Sequence, residues 1–336
     1  MKLGYHIHGI TYKIVALGGF VSSALNTINV SHFKMPHPSP LNRLLNDKTF
    51  EENILKECKE YLKMIQHIVI PTLGRMDKQV TYNSFPQKYK DITTFVVQEH
   101  EYAEMDKRYL GKVLSLPAEI NRIAPTREWI HKHFRNDRHF VFDDDLEFVV
   151  KEPNPGEGTK WLSRKFTDHD FDDAFDLCDA WMDDGIIYGG FLPAWIIPDV
   201  KQWPVRECQR VMTNVFYDGA KVPDGIEWNR VAAAEDFDVN LQLLTRGFKN
   251  RISAKYMVTC SETNAEGGCS TWRTLQVHND AQKQLAELWP AFIKLSEKTV
   301  TNGPWKGQVK YTTTIQHKKA YMSSQKPTQT LESFFD

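Results

Sequence analysis

The chain has 336 residues, with 42 Lys plus Arg against 43 Asp plus Glu and a formal net charge of −1. That balance excludes the polybasic class of nucleic-acid binder, in which a whole domain is cationic, but leaves room for a local basic groove. Five cysteines without a C-x-x-C pair argue against a disulfide framework and a thiolate zinc site, and point to reduced thiols in a cytoplasmic setting.

Residues 1–60 read as an accessory segment. Tyr5 to Leu17 alternates as a hairpin does, and Met35 to Pro40 holds three prolines and cannot be regular. The apolar stretch Ile14 to Leu25 is too short and too interrupted to cross a membrane. Lys48 to Met64 has a helical stripe. A catalytic domain is expected over residues 61–300. It opens with four short apolar runs, His67–Thr72, Thr93–Gln98, Lys112–Pro117 and His139–Asp143, separated by helical patterns near 76–85 and 121–135. Strands alternating with helices imply a mostly parallel central sheet with helices on both faces, an α/β fold. Residues 168–184 contain eight aspartates. They fail the calcium-loop pattern, because Asp173 stands where glycine is required, and they read as a helix closed by Gly185. Two further strands are expected at Ile186–Ile197 and Val211–Tyr217. Helices are expected at Asp236–Arg246, closed by Gly247, and at Asp280–Lys298, kinked by Pro290. Residues 301–336 read as a basic linker and a terminal peptide.

The strand Phe140-Val141-Phe142 runs straight into Asp143-Asp144-Asp145. Ligands bind at the carboxyl ends of strands in open α/β sheets. Carboxylates crowded there repel one another unless a cation lies between them, and hard oxygen ligands suit Mg2+ or Mn2+ on a diphosphate. No G-x-G-x-x-G or G-x-x-x-x-G-K-[ST] follows any strand, which disfavours dinucleotide and P-loop chemistry. Ala233-Ala234-Glu235-Asp236 places an acidic pair at a helix start. Such a pair serves either as a general base or as plain helix capping.

With IPTLGR, VVQEHEY, APTREWI and FVFDDD in that order, roughly residues 65–250 resemble the DNA-base glycosyltransferases of tailed phages. These are nucleotide-sugar transferases of the GT-A fold, associated with TET/JBP base-oxidising enzymes. The resemblance implies a UDP-sugar donor, glucose or arabinose, and an Mn2+ or Mg2+ cofactor. It implies an acceptor of 5-hydroxymethylcytosine in double-stranded phage DNA, protected thereby from nucleases, inside the host cell and away from any membrane. It puts Pro71, Thr72, Arg75, Glu99, Tyr102, Arg127, Asp143 and Asp144 on the donor. It puts Asp145, Asp143 and His278 on the metal, and makes Asp236, seconded by Glu235, the base. Gly267, Gly268 and Arg273 would face the acceptor.

Two further features point to DNA. One is the basic, aromatic run of Arg122, Arg127, Trp129, His131, Lys132, His133, Arg135 and Arg138, which suits a phosphate backbone as well as it suits a solvated helix face. The other is the terminal L-x-x-F-F sequence, which resembles the peptides that dock on DNA-polymerase sliding clamps through Leu331, Phe334 and Phe335. A polysaccharide or protein acceptor, and a non-catalytic clamp-bound accessory, stay open as alternatives.

Overall fold

A computed structural model describes residues 5–7, 10–12, 15–17, 33–35, 54, 64–153, 161–196, 204–260 and 267–325. The chain divides into two compact units, Met1–Gln66 with Thr167–Gly185, and His67–Phe166 with Ile186–Asp336. In the first unit β1 (Tyr5–Ile7) and β2 (Ile10–Tyr12) form the expected hairpin, and β3 (Val15–Leu17) runs parallel to β4 (Phe33–Met35). Most of the helix expected at 48–64 lies outside the described residues. The aspartate-rich segment is a helix, Asp168–Asp183, with no calcium-loop geometry. Thr167 and Asp170 form a reciprocal capping box, which satisfies backbone N–H groups that the first turn leaves unpaired. Phe171, Phe175, Cys178, Trp181 and Met182 are its buried stripe.

In the second unit β5 (His67–Pro71), β6 (Thr93–Val97), β7 (Val113–Ser115) and β8 (Arg138–Phe142) pair in parallel, in the spatial order β8-β5-β6-β7. Strands covered on both sides read as unbroken apolar runs. Ile68, Val69, Ile70, Phe140 and Phe142 accordingly have no measurable exposure. Two short helices (Val80–Ser84 and Gln87–Asp91), then α1 (Glu99–Arg108) and α2 (Ile123–His133), make the connections. The chain steps outward from β5 to β7 and returns to the far side of β5 for β8. The loops leaving β5 and β8 therefore diverge, and a crevice opens at their carboxyl ends. The rest of the ten-stranded sheet comprises β9 (Leu146–Pro153), β10 (Trp161–Lys165), β11 (Tyr188–Pro193), β12 (Val205–Glu207), β13 (Asn214–Asp218) and β14 (Arg251–Cys260). Pairing there is antiparallel except between β11 and β14. The α/β class with a large central sheet flanked by helices is as the sequence implies. Parallel pairing is concentrated in the half that forms the crevice.

The C-terminal part departs from expectation. After α3 (Glu235–Thr245), closed by Gly247 at φ +89°, comes α4 (Leu275–Leu288). Pro290 follows the end of α4 and does not kink it. Ile293-Lys294-Leu295 then alternates with period two, and β15 (Ile293–Thr299) pairs with β16 (Val309–Ile315). Residues 301–325, expected in a basic linker, instead hold β16 and α5 (His317–Ser324), whose Ala320 is fully buried in a cluster with Leu241, Leu244 and Leu285.

His131 and His139 are buried beside Tyr217. Burial holds both imidazoles down at about 4. In the unfolded chain they titrate near 6.5, so their contribution to stability is complete above that pH and is lost as pH falls towards 4. Unfolding free energies from urea titrations should therefore fall across this window, by roughly 3 kcal/mol per histidine. Asp143, pushed up to about 7 by burial, offsets part of that loss. Burial holds His317 down at about 4 as well, so His131→Leu should remove about a third of the histidine slope; an unchanged slope would show that its ring carries none of it.

Candidate active site

The crevice is built first from the loop after β5. Thr72 Oγ1 donates to Asp144 Oδ2 at 2.5 Å, and Arg75 Nη1 donates to Asp144 Oδ1 at 2.7 Å and to Asp145 Oδ2 at 2.9 Å. Gln79 Nε2 donates to Thr72 Oγ1 and to the Arg75 carbonyl. Gly74 takes φ +67° and donates its N–H to Glu101 Oε1 at 2.6 Å. Asp144 thus spends both oxygens on holding the β5 and β8 loops together. Burial raises its pKa, against the Thr72 hydrogen bond and Arg75.

Asp143 faces the other way. Its Oδ1 accepts from Arg127 Nη2 at 3.1 Å, and Arg127 Nη1 reaches Glu235 Oε1 at 2.9 Å. One guanidinium on α2 therefore ties the acids after β8 to the acids that begin α3. Burial pushes the Asp143 carboxyl up to about 7; Arg127 opposes this, while Asp145, Asp144 and Glu235 add to it. Glu235 is raised by its own burial, with Arg127 pulling it down and Asp236 pushing it up. Ala234, just before it, takes φ +68°, a left-handed conformation that costs a non-glycine residue about 1–2 kcal/mol. Such strain persists where the surroundings fix the backbone, and it clusters at functional sites. Asp236 is held more loosely, 3.7 Å from Arg210 Nη2, and the Arg210 guanidinium lies over the Phe237 ring at 3.9 Å.

The facing wall is the segment from Gly267 to α4. Gly268 N–H donates to the Leu73 carbonyl at 2.8 Å, and Gly267 takes φ +88°. A Cβ on Gly267 would lie 2.8 Å from Arg75 Cγ. These glycines let one loop approach Arg75. Gly267→Ala should cost about 1–3 kcal/mol through its backbone conformation and displace Arg75, lowering the thermal midpoint. A variant with the wild-type midpoint would show that Arg75 and this loop tolerate the shift.

Together these elements enclose a cleft of about 420 Å3. It is lined by Pro71, Thr72, Arg75, Arg127, Asp143, Asp144, Asp145, Glu235, Asp236, Gly268, Arg273 and His278, all singled out in the sequence. Glu99 and Tyr102 are exposed on α1 and do not line it. One helical turn puts those positions on the outer side, while Gln98 enters the cleft and Glu101 braces Gly74. Gly267 sits behind Arg75. Leu331, Phe334 and Phe335 lie outside the described residues. Arg122, Trp272 and Arg210 were not marked as cleft residues: Arg122 lies over Trp272 at 5.7 Å, and all three line it.

The basic run around α2 disperses. Arg127 is in the ion pairs above, Lys132 pairs with Glu128, and Arg135 pairs with Asp224. Arg138 is buried against Asp218, Trp129 stacks on His133, and His131 packs on Trp228. A helix sends successive residues in different directions, so closeness in sequence made no single basic face.

Among the described residues, no three His, Cys, Asp or Glu side chains converge as a ready-made metal cage, so His278 is not brought to Asp143 and Asp145 as one ligand set. His278 Nε2–H donates to the Tyr311 carbonyl at 3.0 Å, and burial lowers its pKa. The acids fit a hard cation in a different way. Mg2+ is usually held by one or two carboxylates, with substrate phosphates and water completing its shell. Asp143 and Asp145 are the partly exposed acids of the triplet.

A family model described as TET-Associated Glycosyltransferase matches residues 66–269. The chain is 28% identical over 234 residues to the beta-glucosyl-HMC-alpha-glucosyl-transferase of Enterobacteria phage T6, covering 68% of this chain and 82% of that protein. It is 27% identical to the protein of the same name from Enterobacteria phage T2, with the same coverage.

Proposed function

The chain belongs to the TET-associated glycosyltransferase family, and from that premise we propose that it moves a sugar from a UDP-linked donor to a hydroxyl carried by 5-hydroxymethylcytosine in phage DNA. The observation that carries the reading is the shared cleft. Asp143, Asp145, Arg75 and Asp236 all line it, so acids suited to a metal-bound diphosphate and an acid suited to taking a proton from an acceptor hydroxyl share one space.

Asp236 takes the acceptor O–H proton as the oxygen bonds to C1 of the sugar and the C1–O bond to the diphosphate breaks, so that UDP leaves with the electron pair. Glu235 is less suited to this role, because Arg127 holds it in an ion pair. Arg127 sets the distance between donor and acceptor sides. Asp143 and Asp145 would hold Mg2+ or Mn2+, and a bound cation supplies electrostatic stabilisation of the charge growing on the leaving diphosphate. Glucose is supported as the sugar by the names of the phage relatives; the cleft also has room for arabinose. Those names also favour a second acceptor position, a hydroxyl of a glucose already on the base.

The test supplies UDP-glucose or UDP-arabinose, with Mn2+, Mg2+ or EDTA, and three duplexes: unmodified, hydroxymethylated and glucosyl-hydroxymethylated. UDP release with either modified duplex alone supports the reading and places the acceptor oxygen. Release only with a saccharide or protein acceptor would overturn it. The sequence of Leu331, Phe334 and Phe335 supports docking on a sliding clamp. Removing residues 326–336 should then abolish capture by an immobilised clamp, and retained capture would refute the docking.

A further inference from the structure

A lysine-rich segment lies outside the residues that the family model matches. From Ile293 to Gln325 there are six lysines, at positions 294, 298, 306, 310, 318 and 319, against one acid, Glu297. The chain as a whole carries a net charge of −1. In the β15–β16 ribbon Lys298 sits directly opposite Lys310. Like charges so placed destabilise a strand pair, unless an anion lies over them. Among the described residues, no carboxylate is paired with Lys298, Lys306 or Lys310. Burial, Arg273 and Lys298 together pull the Lys310 ammonium pKa down, the mark of cations crowding one another.

The ribbon is fixed in place beside the cleft. Asn279 Nδ2 donates to the Val309 carbonyl at 3.0 Å, and Asn279 Oδ1 accepts the Tyr311 N–H at 2.8 Å. His278 bonds the Tyr311 carbonyl, and Thr313 Oγ1 donates to Gln282 Oε1 at 2.7 Å. His278 and Gln282 both line the cleft, so these contacts place the ribbon at its rim. At the ribbon's turn, Trp305 lies 5.8 Å from the His278 ring, with Lys310 5.5 Å from the centre of its indole.

We propose that the β15–β16 ribbon is a duplex-DNA docking element, in which Lys298, Lys306 and Lys310 contact backbone phosphates and hold the target base beside the cleft. This rests on the reading that the acceptor is DNA. A ribbon of two strands has the width to enter a major groove, and the facing Lys298 and Lys310, with Lys306 in the connecting turn, make its turn end cationic toward backbone phosphates.

The test measures binding of unmodified duplex DNA, without donor, by fluorescence anisotropy over a range of salt concentrations. K298Q/K306Q/K310Q should bind about 10- to 100-fold more weakly at low salt. Its log–log salt slope should be shallower by about 2–3, since each phosphate contact contributes about 0.9. K88Q/K107Q/K255Q makes the same charge change elsewhere and should stay within about twofold of wild type, and unfolding midpoints check that both variants fold. A wild-type slope in the ribbon variant, or an equal loss in the control, overturns the proposal. So does tighter wild-type binding to an RNA duplex of the same length. Because no donor or modified base is present, failure of sugar transfer with the expected loss of slope would leave the docking surface standing and remove only the acceptor assignment.

Discussion

Asp236→Asn should lower kcat by at least about 100-fold while leaving UDP-sugar affinity within a few-fold of wild type. General-base removal typically costs about 10²–10⁴ in rate, and the substitution keeps size and hydrogen-bonding shape. Asp236 is the more loosely held acid of its pair: it lies 3.7 Å from Arg210, whereas Glu235 is held by Arg127 at 2.9 Å. The measurement is steady-state UDP release with modified duplex, alongside calorimetric titration of the donor. Glu235→Gln should behave differently, losing stability and rate together because it releases one arm of Arg127. If Asp236→Asn kept most of its rate and Glu235→Gln lost 100-fold with stability intact, the two roles would be exchanged.

Arg127→Met should destabilise the protein by roughly 3–5 kcal/mol, because it leaves the buried Glu235 and the partly buried Asp143 without their shared cation. For a domain of this size that is a fall in Tm on the order of 10 °C. Arg127→Lys should recover little, since one ammonium cannot reproduce a planar fork that reaches two carboxylates at once. The decisive comparison is a double variant. Adding Glu235→Gln to Arg127→Met should restore about half of the lost stability or more, because the more deeply buried of the two uncompensated charges goes with it. Additive losses would show that Arg127 acts through packing alone.

The acidic elements were legible in the sequence because their signal is local: three aspartates directly after a strand, and an acidic pair at a helix start. The strand-helix alternation from residue 67 to 142 was local in the same sense. What sequence could not show is how each charge is spent. Arg127 was read beside its neighbours on α2, yet its partners are 16 and 108 positions away, at Asp143 and Glu235. Arg75 was placed under the donor, and the structure shows it clamping Asp144 and Asp145. The VVQEHEY segment was recognised, but the phase of α1 was not, so Glu99 and Tyr102 were chosen over Gln98 and Glu101. The Asp280–Lys298 segment reads as one helix kinked by Pro290, yet the helix ends at Leu288; β15 is thereby hidden in a supposed helix and β16 in a supposed linker. β14 went unread because Arg251 and Lys255 interrupt an otherwise buried strand whose two faces are both covered.

The first compact unit is assembled from two separated pieces of chain, residues 1–66 and 167–185, with residues 67–166 between them. On the ribosome, the leading piece must wait for β5 to β10 to be made before its helix arrives. During that interval it is an unfinished fold, and unpaired strand edges make such species prone to aggregate. The same arrangement sets a rule for engineering. Trimming the chain at residue 66 to isolate the transferase would strip the Asp168–Asp183 helix of the unit it belongs to. Phe171, Phe175, Trp181 and Met182, buried in the whole chain, belong to that divided unit, and the expected product is an aggregating protein, not a minimal enzyme.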